Sequence, residues 1–174
     1  KKRASSLLFS LGIFASFLSV FVTFAGYFGS ENFYIWMGSE AEVVEQGSLY
    51  FKILSLGMVV IFIDALLYNA LSAAGDTKSS LYIKLFSAFL NAFLNYVLIF
   101  GHFGFEAMGI EGAAIATVIA YAFNVLVYLI LLKLPHSKLN LIPVIRIKDL
   151  KRAWHVGWSA ALDRFISSIS FLFF

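Results

Sequence analysis

The sequence predicts an all-α polytopic membrane protein: a helical bundle of four full transmembrane helices and a truncated fifth. Three observations predict it. The 174 residues are 61% hydrophobic, 18% aromatic and only 13% charged, with a mean hydropathy of +0.88, where a soluble domain is about a quarter charged. Uncharged stretches long enough to span a bilayer, about 20 residues, recur along the chain. They are too long for strands and lack period-two alternation.

The first span is expected over roughly 5–28, inside a stretch from residue 4 to 30 with no charged side chain. The second is expected over 48–71, with Lys52 near one end and Asp64 inside. The third covers roughly 80–100, with Lys84 in its first turns. The fourth covers 110–132 and is uncharged from Gly112 to Leu132. Residues 133–152 read as a cytoplasmic linker. There Lys133, Lys138, Arg146, Lys148, Lys151 and Arg152 interleave with Ile145, Ile147, Leu150 and Trp154, as in a helix lying at a membrane surface. Pro143 breaks the chain before it. Residues 153–174 open the next transmembrane helix. The chain begins at Lys1 without an initiator Met and ends at Phe174 inside an apolar run, which predicts an internal piece of a larger polytopic protein.

The charges sort by connection. Lys1, Lys2 and Arg3 precede the first span, and Lys78 follows the second. The connection with Glu31, Glu40, Glu42 and Glu45, and the one with Glu106, hold no basic residue. Basic and acidic sides therefore alternate at every crossing. The positive-inside rule places residues 1–4, 72–79 and 133–152 in the cytoplasm, with the protein in the cytoplasmic (inner) membrane. The net charge of +3 is explained by this sidedness, so no nucleic-acid partner is expected. With no cysteine there is no thiol chemistry or disulfide framework. His102, His136 and His155 show no metal-ligand spacing, and no metal or cofactor is expected.

Polar groups inside the spans carry the functional signal. Asn91 and Asn95 sit one helical turn apart in the uncharged run 85–100, on one helix face. Lipid-exposed amides are costly, so they should face protein or a water-filled cavity. A rise of 1.5 Å per residue puts Asn95 about 8 Å, Asn91 about 14 Å and Thr117 about 12 Å below the outer helix ends. The three can share one layer. They can bind water, a cation or a substrate, or form a packing node between helices. Gly112, Ala113, Ala116 and Ala120 give the fourth span a small-residue surface for close helix packing. Asp64 and Lys84 lie about 12 Å and 8 Å from the inner ends of neighbouring helices. An Asp64–Lys84 ion pair is expected, with Arg164 as the competing partner and proton or cation handling as the alternative role. Asp163 is a candidate coupling carboxylate, or is neutralised by Arg164.

The stretch from Leu71 to Ala120 resembles the MATE family, the multidrug and toxic compound extrusion transporters. The resemblance rests on Ala74-Gly75-Asp76-Thr77, then Asn91, Asn95 and Ile99-Phe100-Gly101, then the G-x-x-G-A-A-x-A-T run from Gly109 to Thr117. It implies a transporter of about twelve helices in the MOP superfamily, of which this chain is the third helix to the start of the seventh. It further implies export of organic or cationic drugs and toxic compounds by alternating access, in antiport with Na+ or H+, without a cofactor. The partners implied are a small-molecule substrate, the lipid bilayer and the rest of the same chain. The amino-terminal cation site that several members use falls on Asn91, Asn95 and Thr117, with a further carboxylate outside the sequence. Asn95 stands where the family often has Asp, and Asn does not titrate. Ser159 stands where the seventh helix usually has proline. A lipid-linked oligosaccharide flippase of the same superfamily is the nearest alternative, disfavoured by the scarcity of cations in the spans. A structural membrane subunit is a further one. A membrane-embedded enzyme lacks any reactive constellation in the spans.

Overall fold

The computed structural model describes residues 2–134, together with Leu139 and Lys151. These residues form five helices and no strand: α1 (Lys2–Trp36), α2 (Ala41–Leu56), α3 (Met58–Ala73), α4 (Thr77–Phe100) and α5 (Gly109–Lys133). Three are long and apolar enough to cross a membrane, and the bent pair α2–α3 makes a fourth crossing if it is one span. The expected linker helix and the helix after Ala153 lie outside the described residues.

Two spans differ from their sequence expectation. The helix expected to stop near residue 28 runs on to Trp36, because the chain stays helical where Glu31 and Asn32 are already exposed. The single helix expected over 48–71 is two helices. It starts earlier, at Ala41, and is bent by 58° between Leu56 and Met58. Gly57 at the break is buried, and a Cβ there would fall 2.5 Å from Val118 of α5. The missing side chain lets α5 reach the bend. Beside it, the Thr23 hydroxyl of α1 donates to the Ser55 carbonyl at 2.8 Å. A break in a membrane helix is tolerated where protein groups satisfy the backbone in this way.

The loop between α3 and α4 shows why it reads Gly-Asp-Thr. Gly75 takes a left-handed conformation (φ +81°) and closes α3: its N–H donates to Ser72 O, and Asp76 N–H donates to Leu71 O. Those paired bonds are a Schellman stop, which glycine makes at least cost. The Asp76 carboxylate then accepts from Ser79 N–H at 3.3 Å and caps α4. This motif is turn chemistry.

Helix α1 packs along α2 and α3, while α5 packs against α2, α3 and α4. The α4–α5 hairpin is antiparallel and close. On α5, Gly112, Ala116, Ala120, Asn124, Tyr128 and Leu132 are all buried, one per turn. That stripe is small at the end near the 101–108 loop and bulky at the other. Two apolar clusters follow from it. Val97, Leu98 and Ala116 pack at the small end, and Leu67, Leu71, Ile83, Tyr128 and Leu132 at the bulky end. Between them lies a polar layer. Phe17, Phe21, Phe86, Phe89 and Phe93 are exposed on the outside, as suits side chains that meet lipid or other helices.

The α4–α5 approach makes one position decisive. A Cβ on Gly112 would fall 2.7 Å from the Leu98 backbone carbonyl, whereas one on Gly29 would meet nothing within 4 Å. Gly112→Leu is expected to destabilise the protein by about 1–3 kcal/mol through forced separation of α4 and α5. Gly29→Ala is expected to change stability by less than about 0.5 kcal/mol. Thermal unfolding of the two variants in detergent measures the contrast.

Candidate functional site

The polar layer is built from one face of α4 and one face of α5. Asn95 Nδ2 donates to Asn91 Oδ1 at 3.2 Å, as spacing of four on a helix allows. Asn91 Nδ2 in turn reaches Thr117 Oγ1 across the hairpin at 3.5 Å, a long bond. The Thr117 hydroxyl donates to Ala113 O at 2.9 Å. One turn further along α4, Ser87 Oγ donates to Ala120 O at 3.1 Å. The structure thus brings Asn91, Asn95 and Thr117 into one chain of bonds, with all three side chains half-buried.

That chain borders a cavity of about 210 Å³ lined by Lys84, Ser87, Asn91, Thr117, Tyr121 and Asn124, with Ala88 and Ala120. Asn95 does not line it; its Oδ1 is buried and has no hydrogen-bond partner among the described residues. A larger hollow of about 690 Å³ lies between α1 and α2, lined by Glu31, Glu45 and Lys52 among others. None of the polar-layer residues reaches that hollow, so size alone does not locate the chemistry.

The second polar cluster joins the first. Lys84 Nζ lies 2.5 Å from Asp64 Oδ2, linking α4 to α3. Asp64 is 2% exposed, and the Lys84 side chain is 33% exposed towards the cavity. The ammonium also sits 5.2 Å from the Tyr121 ring centroid and 5.5 Å from that of Tyr68. Both distances suit a cation–π contact. The sequence expectation set the Asn–Thr layer and the Asp64–Lys84 pair apart by depth, but Lys84 belongs to both. Asp163, Arg164 and Ser159 lie outside the described residues.

Three contributors escaped sequence reasoning. Asn124 is 1% exposed and Tyr128 fully buried, and among the described residues neither the Asn124 Oδ1 nor the Tyr128 hydroxyl has a hydrogen-bond partner. Tyr121 supplies one ring over the ammonium. The signal was present: Thr117 and Asn124 are seven apart, and Asn124 and Tyr128 four apart, so both pairs share a helix face. Among the described residues, no group of His, Cys, Asp or Glu could hold a metal ion. The arrangement instead offers amide and hydroxyl oxygens, one carboxylate and two ring faces. These groups bind water, a monovalent cation or an organic cation.

A sequence model described as MatE matches residues 1–97, more than half of the chain. The chain belongs to the MatE family. Members of that family are transporters, not enzymes. Among relatives of this MatE chain, a Thermotoga maritima protein named "Probable multidrug resistance protein NorM" is 29% identical over 177 residues, covering 100% of this chain and 38% of the relative. A protein of the same name from Bacillus anthracis is 33% identical over 154 residues, covering 87% of this chain and 32% of the relative. The MatE chain therefore spans about a third of the length of the curated relatives it matches. It also superposes on a solved structure described as the inward-facing conformation of a multidrug resistance MATE family transporter of the MOP superfamily. The TM-score is 0.78 at 20% identity, over 88% of this chain and 35% of that one. That likeness shows the fold: the helices are those of a multi-pass MATE-type membrane protein.

The buried pair makes a thermodynamic prediction. Removing one partner of a buried ion pair leaves a charge uncompensated and costs about 3–5 kcal/mol. Because Lys84 is partly exposed, Lys84→Met is expected near the lower end of that range. The double variant Asp64→Asn/Lys84→Met should recover more than half of the loss. Thermal unfolding of parent, single and double variants in detergent tests this cycle.

Proposed function

We propose that this chain forms part of the amino-terminal bundle of a secondary active transporter that exports organic or cationic drugs and toxic compounds. Export is exchanged for Na+ or H+ by alternating access. One observation carries the reading: a polar cavity, walled by Asn91, Thr117, Lys84 and Asn124, sits between α4 and α5 in an otherwise apolar bundle. Buried polar groups in a membrane are costly and mark ion or substrate paths. The similarity to proteins named for multidrug resistance supports the same reading.

In this proposal Asn91 and Thr117 contact the coupling cation or the substrate in the cavity, and Asn95, outside its lining, belongs to the site through its hydrogen bond to Asn91. Asn95 supplies an oxygen but no titratable group, so a proton would be carried elsewhere, with Asp163 and Asp64 the candidate carboxylates. Residues 1–4, 72–79 and 133–152 face the cytoplasm, which makes the protein multi-pass in the cytoplasmic membrane. The linker at 133–152 leads to a further helix from Ala153, and the rest of the same chain closes the cavity. The bundle moves as a unit against its partner bundle around the site.

Drug efflux from vesicles containing the full-length protein tests the assignment. Asn91→Ala and Asn95→Ala are expected to lower efflux at least tenfold, while Asn95→Asp retains it under a sodium or a proton gradient. If all three variants export like the parent, the site is wrong. If they fail to fold and never alter transport selectively, the layer is a packing node.

A further inference from the structure

We propose that the Asp64 carboxylate with the Tyr68 and Tyr121 rings is a binding site for an organic monocation, and that Lys84 is a tethered cation which occupies it and must be displaced by cargo. The inference rests on the reading of the α4–α5 cavity as a transport site for cations.

The geometry points to this in three ways. First, the ammonium is held as an alkylammonium ligand would be, by one carboxylate oxygen at 2.5 Å and two ring faces at 5.2 and 5.5 Å. Ring faces stabilise an ammonium, and they also suit a quaternary one, which cannot hydrogen-bond and is cheaper to desolvate. Second, the site has acceptors to spare. Among the described residues, neither Asp64 Oδ1 nor Asn124 Oδ1, both buried, has a hydrogen-bond partner, and Asn124 lines the same cavity as Lys84. A pair built only to fix helix packing would leave fewer acceptors bare, because an unsatisfied buried group keeps its full desolvation cost. Third, the two partners are unequal. The Asp64 side chain is buried, 3% exposed, while that of Lys84 is 33% exposed and lines the cavity. A lysine on a four-carbon stem can swing aside and keep its charge in the polar cavity, whereas the carboxylate stays. Lys84 and Tyr121 line the cavity and Asp64 lies behind the ammonium, so an entering cation reaches the carboxylate only as Lys84 swings aside. Lys84 prevents the empty carrier from holding a bare carboxylate and returns when cargo leaves.

The test is binding of tetraethylammonium to the detergent-solubilised full-length protein, by equilibrium dialysis. Lys84→Gln is expected to bind at least fivefold more tightly than the parent, because the competitor is gone. Lys84→Arg, which keeps a tethered cation, should bind within twofold of the parent. Adding Asp64→Asn to Lys84→Gln should abolish the gain. Unchanged, weaker or absent binding in Lys84→Gln, or a gain that survives loss of Asp64, overturns the proposal. Asn91→Ala in the same assay separates the two readings. Weaker binding there with no gain in Lys84→Gln removes the tethered cation and keeps the cavity as a site; no change in either removes both. Should Lys84→Gln not fold, the parent still decides the matter. Saturating tetraethylammonium should raise modification of Lys84 by a membrane-permeant amine reagent at least threefold, relative to Lys133, by peptide mass spectrometry. Unchanged or reduced modification overturns the proposal.

Discussion

The close approach of α4 and α5 at Gly112 and Leu98 sets everything else in the described structure. Without a hydrophobic drive between helices in lipid, close packing of small residues is what brings two helices together. Gly112 touches the backbone of Leu98, and Ala116 and Ala120 continue the same buried line. That contact fixes an antiparallel register, and the register decides which side chains meet. It sets Asn91 opposite Thr117, Ser87 opposite the Ala120 carbonyl, and Lys84 beneath the Tyr121 ring. Below Ala120 the stripe becomes Asn124 and Tyr128, too large for the same contact, and the cavity opens beside it.

The broken span fits this seam. Gly57 yields to Val118 of α5, and the bend redirects α3 so that Asp64 faces Lys84. A carboxylate at this depth is tolerable only with a partner of opposite charge, since its desolvation costs several kcal/mol. One ion pair therefore ties the kinked element to the hairpin, at the point where the polar cavity begins. In transport proteins, interrupted helices commonly mark the site at the middle of the membrane. The MatE match and the fold likeness agree with a multi-pass helical bundle.

Much of this was legible in the sequence, for physical reasons. Charge-free runs pointed to the long apolar helices, because lipid excludes charges. Spacing of four put Asn91 and Asn95 on one face, and the small residues of α5 announced a close packing surface. The bend at Gly57 was not legible, because a lone glycine in an apolar run is compatible with an unbroken helix. The α1 extension was missed because apolar length limits a span but does not end a helix. Asn124 and Tyr128 lie in a long uncharged run whose length alone gives them no role. Only the α4–α5 register shows that Asn124 lines one cavity with Lys84. The depth estimates separated Lys84 from Asn91, whereas the cavity touches both, because a lysine reaches well beyond its own turn.

The central claim is that the α4–α5 seam encloses a water-accessible polar cavity inside an apolar bundle. The most direct measurement compares thiol reactivity at two adjacent α4 positions in the full-length protein in membranes, using a small hydrophilic reagent after Ala88→Cys and Phe89→Cys. Ala88 lines the cavity, and Phe89 is exposed on the apolar outside. The account predicts that Ala88→Cys reacts at least tenfold faster than Phe89→Cys. Equal rates, or faster reaction at position 89, would contradict it.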